Sequence, residues 1–162
     1  MAYLDSQFEF SDAQAVTTTA ISTNVVDLAS LRKGGTAVAG DLAANPRFTL
    51  GDGDGYGPRL VVGVNTAFSG GTSLAVTLEA ADNAALSTNA TVLLGSAVFP
   101  TASLVRGASL LDITLPIVDA RRYLGLRFTV VGTFGAGNLD AFITFGPGPR
   151  LAPAYKSGFR VQ

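Results

Sequence analysis

Residues 51–60, "GDGDGYGPRL", set two aspartates one residue apart among four glycines, a spacing of oxygen donors that could hold a calcium ion. An EF-hand loop takes ligands from positions 1, 3, 5 and 12 and glycine at 6. Counted from Asp52, positions 1 and 3 are Asp52 and Asp54, and Gly57 falls at position 6. Position 5 is Tyr56 and position 12 is Gly63, so the bidentate carboxylate is missing, and an apolar "LVVGV" follows in place of a helix. The loop therefore reads as a turn in which glycines supply positive φ and the aspartates cap backbone amides. It also lacks the lysine and the helix of a phosphate-binding loop.

The remaining chemistry is sparse. The chain has no histidine and no cysteine, which removes the commonest general base, the commonest transition-metal ligand and every thiolate. Serines and threonines are plentiful, but only Lys33 and Lys156 are available as lysine bases, and no G-x-S-x-G elbow occurs. A glycosidase needs two carboxyls about 5 to 9.5 Å apart across a cleft. The strand acids Glu79 and Asp112 read instead as outward-facing, solvated surface groups. The expectation is a protein without catalytic activity, cofactor or metal.

The elements around these residues are strands. In "LAVTLEA", Leu74, Val76 and Leu78 share one face, with Ala75, Thr77 and Glu79 on the other. "SLLDITLPI" places Leu111, Ile113 and Leu115 inward, and Pro116 ends the ladder because it lacks a donor. "YLGLRFTVV" puts Leu124, Leu126, Phe128 and Val130 on one face, opposite Gly125, Arg127 and Thr129. "LDAFITF" turns Leu139, Ala141, Ile143 and Phe145 inward and leaves Phe142 outside. Further strands are predicted over Ala15 to Ile21, Asn24 to Leu28, Arg59 to Thr66 and Thr91 to Ala97, the third of them central in a sandwich. Turn clusters fall at 69–73, 82–90 and 132–138, and one helical turn is predicted within 27–35.

About eight such strands with no amphipathic helix predict an all-β, single-domain antiparallel β-sandwich, connected as a jelly roll or as an immunoglobulin-like key. The domain spans 1–145, with a glycine-rich insert loop at 35–57. Residues 146–162 read as a proline-rich basic arm, in which Leu151, Tyr155 and Phe159 alternate with Arg150, Lys156 and Arg160 and no acid occurs; the two expectations for it are a disordered tail and an arm that orders against a partner or a neighbouring subunit.

Composition narrows the partners. With 162 residues the chain makes one domain, and its net charge of −1 leaves no footprint for nucleic acid. No apolar run reaches the roughly 18 residues of a membrane span, and "MAYLDSQFEF" carries no secretion signal. Charged residues make up 14%, against about 25% in an average domain. A surface so poor in charge suits an assembly.

Four ordered segments carry a resemblance: "YLDSQFEFSDAQAVTTTAISTNVVDL" (3–28), "LVVGVNTAFSGGTSLAVTLEAAD" (60–82), "FPTASLVRGASLLDITLP" (99–116) and "RRYLGLRFTVVGTFGAGNLDAFIT" (121–144). Together they resemble the capsid cement proteins of tailed bacteriophages typified by the Bordetella phage cement protein, the Bbp16-like family. The Ala/Gly insert at 35–57 and the tail beyond Gly146 depart from that pattern. The resemblance implies a jelly roll with extended terminal arms on the outer capsid surface, assembled in the host cytoplasm, with the major capsid protein as partner. It also implies a homo-oligomer, a homodimer ahead of a trimer. Contact residues are expected at Tyr3, Phe8 and Phe10, at Phe142, and at Arg150, Tyr155, Lys156, Phe159 and Arg160. For Phe8 and Phe10 the competing expectation is the subunit's own core; for Phe142 it is cover by the chain's own loop. The rival function is a carbohydrate- or host-binding jelly-roll module, disfavoured by the absence of tryptophan and a total of four tyrosines.

Overall fold

Period-2 alternation gives each strand one apolar face, and such a face is stable only against another. In the computed structural model, which describes residues 8–28, 58–115 and 121–145, the strands meet this demand as two facing antiparallel sheets. The described residues form β1 (Glu9–Ala15), β2 (Ala20–Ile21), β3 (Val26–Asp27), β4 (Pro58–Gly70), β5 (Ser73–Ala81), β6 (Thr91–Gly95), β7 (Phe99–Pro100), β8 (Ser109–Thr114), β9 (Tyr123–Val131) and β10 (Phe134–Phe145).

One sheet has the order β1-β10-β4-β8 and the other β2-β9-β5-β6, with β3 also on β9 and β7 also on β5. The pairings are nested. β1 pairs with β10, β2 and β3 with β9, β4 with β8, and β5 with β6 and β7. Rolling this long paired ribbon brings β10 beside β4 and β9 beside β5, which is the jelly roll. The ten segments occupy eight ladder positions, because two positions are each split in two.

The roll needs sharp corners where the chain crosses between sheets. β4 passes to β5 through Gly71 and Thr72, and β9 to β10 through Gly132 and Thr133. At Gly71 φ is +58°, and a Cβ there would lie 2.6 Å from the Phe134 ring, so only glycine fits. Phe134 in turn meets Phe68 edge to face, with centroids 4.8 Å apart.

Between the sheets lie Phe10, Leu60, Val62, Val64, Leu139, Ala141 and Ile143 from one side and Leu74, Val76, Leu78, Leu124, Leu126 and Phe128 from the other, all buried. Most of the inward faces read from the sequence are found here, with Leu111, Ile113 and Val130 half-buried against the core and Leu110 buried because a register shift in the β4–β8 ladder adds a residue there; the side chain of Phe145 lies outside the description. Two predicted boundaries are corrected. The strand expected over Ala15 to Ile21 is instead the end of β1, an exposed bend at Thr17 to Thr19 and the short β2. There Val16 N–H bonds Gly137 O and Thr17 O accepts from Phe134 N–H as the chain changes sheets. The turn expected across 132–138 is only two residues long, because β10 starts at Phe134 and absorbs its glycines through register shifts against β4. Asp27, expected in a helical turn, lies in β3; residues 29–35 of that turn, the 35–57 loop with Asp52 and Asp54, and the 146–162 arm lie outside the described residues.

The sandwich thus has two ends. The corner end holds the β4–β5 and β9–β10 crossings and Thr17 to Thr19. The terminal end holds the starts of β1, β4 and β9 and the finishes of β3, β8 and β10, tied by Leu115 N–H to Pro58 O and Leu28 N–H to Arg122 O.

Candidate functional site

The acids are the first residues to place, since they carried the chemical expectations. Glu79 corrects the reading of a solvated surface acid: it is 5% exposed. It lies opposite Gly125 of β9, on the outer face of its sheet. From two residues along β9, Arg127 donates through Nε and Nη2 to the Glu79 carboxylate at 2.9–3.0 Å, and Nη2 also bonds Leu86 O at 2.9 Å. This charge-assisted pairing raises the Arg127 pKa above its usual value. Asp112 pairs with Arg59 on the other sheet. The two carboxylates weighed as a catalytic pair are therefore each committed to an arginine on a different sheet.

Glu79 is buried because a loop folds over it. After β5, residues 82–90 turn back across the outer face and seat Leu86, 1% exposed, over Gly125. A Cβ on Gly125 would meet Leu86 Cδ1 at 2.8 Å and Val25 Cγ1 at 2.9 Å, so the glycine makes room for the plug. The loop closes on itself: Asn83 Oδ1 accepts from Ser87 and Thr88 N–H, and Asn89 Nδ2 donates to Asp82. Arg121 Nη1 donates to both Asp82 oxygens at 2.9 and 3.0 Å. The Asn89 bond, then Arg121, holds the Asp82 carboxyl below its ordinary pKa. Next to this, Arg122 grips Asp27 in a fork, which raises the arginine's pKa, and it stacks over the Tyr123 ring at 4.9 Å.

A second clamp holds the edge of the β1 sheet. Ala13, at φ 44°, sits in an irregular stretch of β1. Its N–H bonds Asp140 Oδ1 at 2.7 Å, and its carbonyl accepts from Asn138 Nδ2 at 2.8 Å. Asn65 Nδ2 donates to the other Asp140 oxygen. Among the described residues no cluster of three or more acids has the geometry to hold a metal ion. Lys33, one of the two lysines available as a base, stands in an S-x-x-K spacing with Ser30, and both lie outside the described residues.

The expected contact residues separate. Phe10 is fully buried in its own subunit's core and is not available to a partner; Phe8 is half-buried and packs against the same core. Phe142 is half-buried on the outer face of its sheet, in a row that runs Glu9, Phe142, Val61, Asp112 across the four strands. Tyr3, Arg150, Tyr155, Lys156, Phe159 and Arg160 lie outside the described residues. The first and last of the described strands are neighbours: Glu9 is in register with Phe142, so β1 starts beside the finish of β10, at the terminal end.

Sequence reading missed a strip on the opposite side. From Asn83 through Val105 no residue is charged. Three of the four exposed large hydrophobic residues, Val92, Val98 and Val105, fall within it, and the fourth is Val131. An uncharged run of this length was visible in the sequence; that it passes from the outer face over Gly125 through β6 and β7 on β5 to Leu104 beside β4 was not.

The strand order and the paired acids define the class: a jelly-roll sandwich whose polar side chains clip loops and irregular strands to the sheets. Within that class the chain belongs to the Bbp16 family, whose model matches residues 10–143, and that family name points to a structural protein of a phage. Comparison with curated proteins returns no match. Among the described residues no helix is long and apolar enough to cross a membrane.

Proposed function

We propose that the protein is a capsid cement, or decoration, protein: it binds the outer surface of a phage capsid and bridges neighbouring major capsid subunits, with no catalytic role. Membership of the Bbp16 family over residues 10–143 carries this reading. Geometry supports it, because β1 starts beside the finish of β10, so the residues before the one and after the other leave the sandwich at the same end. The basic, apolar-anchored composition of 146–162 suits a contact of this kind. Each bond to the shell can be modest. Repetition over a closed lattice makes attachment strong, and a ligand that binds only the assembled shell stabilises it by mass action.

The test compares particles with and without the protein. Particles that carry it should withstand higher temperature before releasing their genome, and the purified protein should bind assembled shells in preference to free capsid subunits. Equal thermal stability of the two particles, with no binding to shells, overturns the reading.

A further inference from the structure

Of the seven acids among the described residues, four are each paired with an arginine: Asp27, Glu79, Asp82 and Asp112. The other three, Glu9, Asp12 and Asp140, form no ion pair among the described residues, and all three lie on the adjacent strands β1 and β10. They border an apolar centre. On the outer face of that sheet Glu9, Phe142, Val61 and Asp112 stand in one row, with Phe142 and Val61 half-buried, and Asp140 lies two residues before Phe142 on the same face of β10. Asp140 accepts from the neutral donors Ala13 N–H and Asn65 Nδ2, which leave its charge unbalanced. Asp12 is exposed in the irregular stretch of β1 that passes it. Arg59, on the same face, is paired with Asp112. The outer face of the other sheet has no such excess, since Arg127 matches Glu79 there.

We infer that this acid-bordered apolar face is the docking surface of the chain's own C-terminal arm, residues 146–162. Charge selects the occupant. Four segments of the chain lie outside the described residues. By side-chain charge, 1–7 and 116–120 each carry −1, and 29–57 balances Arg32, Lys33 and Arg47 against Asp41, Asp52 and Asp54. Only 146–162 is positive, at +3 from Arg150, Lys156 and Arg160. Complementary charge of this kind selects a partner and fixes its register, and Leu151, Tyr155 and Phe159 supply apolar surface to cover Phe142 and Val61. Position and length agree with the charge. β10 finishes at Phe145, so the arm begins at the border of this face, and "GPGP" at 146–149 is a composition suited to turning the chain back. Residues 150–162 outnumber the twelve of β10 by one, so the arm, if extended, has the reach to pass Phe142 and Asp140. This inference concerns the free protein and stands apart from the capsid reading: a loose arm would sink it alone, and equal stability of the two particles would sink the cement role alone.

The chain has no cysteine, so a fluorophore on Gln162→Cys reports the arm alone. In the full chain its anisotropy should decay with the tumbling of the whole domain. Glu9→Lys/Asp12→Lys, which reverses two of the three unbalanced acids, should lower the docking equilibrium constant about fivefold or more. Val131→Lys, exposed on the other sheet, should leave it unchanged, and circular dichroism checks that each variant retains the fold. Carbodiimide coupling, which joins a lysine to a carboxylate in contact with it, reads the place. Lys156, the one lysine of the arm, should couple to Glu9, Asp12 or Asp140, and in a mixture of isotopically light and heavy chains the coupled peptides should be all light or all heavy. A probe that moves freely in the full chain, an arm held as tightly in the double variant, coupling to none of the three acids, or coupling mainly between light and heavy chains overturns the proposal.

Discussion

The two ends of the sandwich are held by different physics. At the corner end the β4–β5 and β9–β10 crossings each take two residues, with glycines at positive φ and the Phe68–Phe134 pair filling the space that they leave. At the terminal end the connections are longer, and arginines do the holding: Arg121 to Asp82, Arg122 to Asp27, Arg59 to Asp112, with Arg127 and Glu79 beneath the 82–90 loop. Steric fit tolerates no substitution, whereas exposed ion pairs contribute little singly and act by fixing direction. The end that must keep the roll closed is thus rigid by shape. The terminal end is pinned by polar clips that can be changed one at a time.

That contrast can be broken most severely at the corner end. Phe134→Ala removes a ring that is 1% exposed, and it should cost about 3–5 kcal/mol in denaturant unfolding; a loss near zero would mean that the corners do not depend on the aromatic pair. Next comes the buried clip. Arg127→Met leaves the Glu79 carboxylate with the Thr77 hydroxyl but no arginine, and because the arginine is one-third exposed the expected loss is about 1–3 kcal/mol. The double variant Arg127→Met/Glu79→Leu should recover part of it, and failure to recover would show that the loop depends on the charge itself. Smaller again is Gly125→Ala, which forces Leu86 and Val25 aside for about 1–2 kcal/mol. Its signature is local, so limited proteolysis should begin cutting within 82–90 while the rest of the domain resists.

The smallest effect is that of acid on the same loop. The folded pKa of Asp82 lies below its unfolded value, so the stability that it contributes is present above the unfolded pKa and fades as pH falls through the folded one. Amide exchange in 82–90 should therefore quicken below the ordinary carboxylate range before that of β5 or β9 does. Asp82→Asn should remove this pH dependence. If the loop and the strands quickened together, the local clip would be refuted.

These regions differ also in how far the sequence announced them. Strands that alternate cleanly, such as β5 and β9, were legible because burial of one face leaves a period of two. β10 was read short because Gly135 and Gly137 carry no side-chain pattern, and the register shifts that keep them in the ladder depend on β4, more than sixty residues earlier. Glu79 was misread for a related reason. Alternation correctly placed it on the outer face, but nothing in its neighbourhood says that Leu86 will return to cover that face, or that Arg127 lies within reach. The jelly roll and the immunoglobulin-like key share one strand pattern, and only pairing separates them. Phe10 and Phe142 show the same limit on single residues: each is an aromatic in a strand, yet one is sealed in the core and the other lies half-buried on an outer face.

The nested pairing also sets an order in time. β5 and β6 are neighbours in the chain, whereas the Ala13–Asp140 bond that clamps β1 to β10 spans 127 residues. Pairing of this separation is reached slowly, because a long stretch must be confined before the contact rewards it. During synthesis β1 emerges before the other described strands and must wait for β10, the last of them. Until β10 arrives, β1 has no neighbour and β4 lacks one of its two, so the nascent chain presents apolar strands that its finished form conceals. Slow refolding that accelerates when β1 and β10 are joined by a circular permutation would be the kinetic mark of this roll.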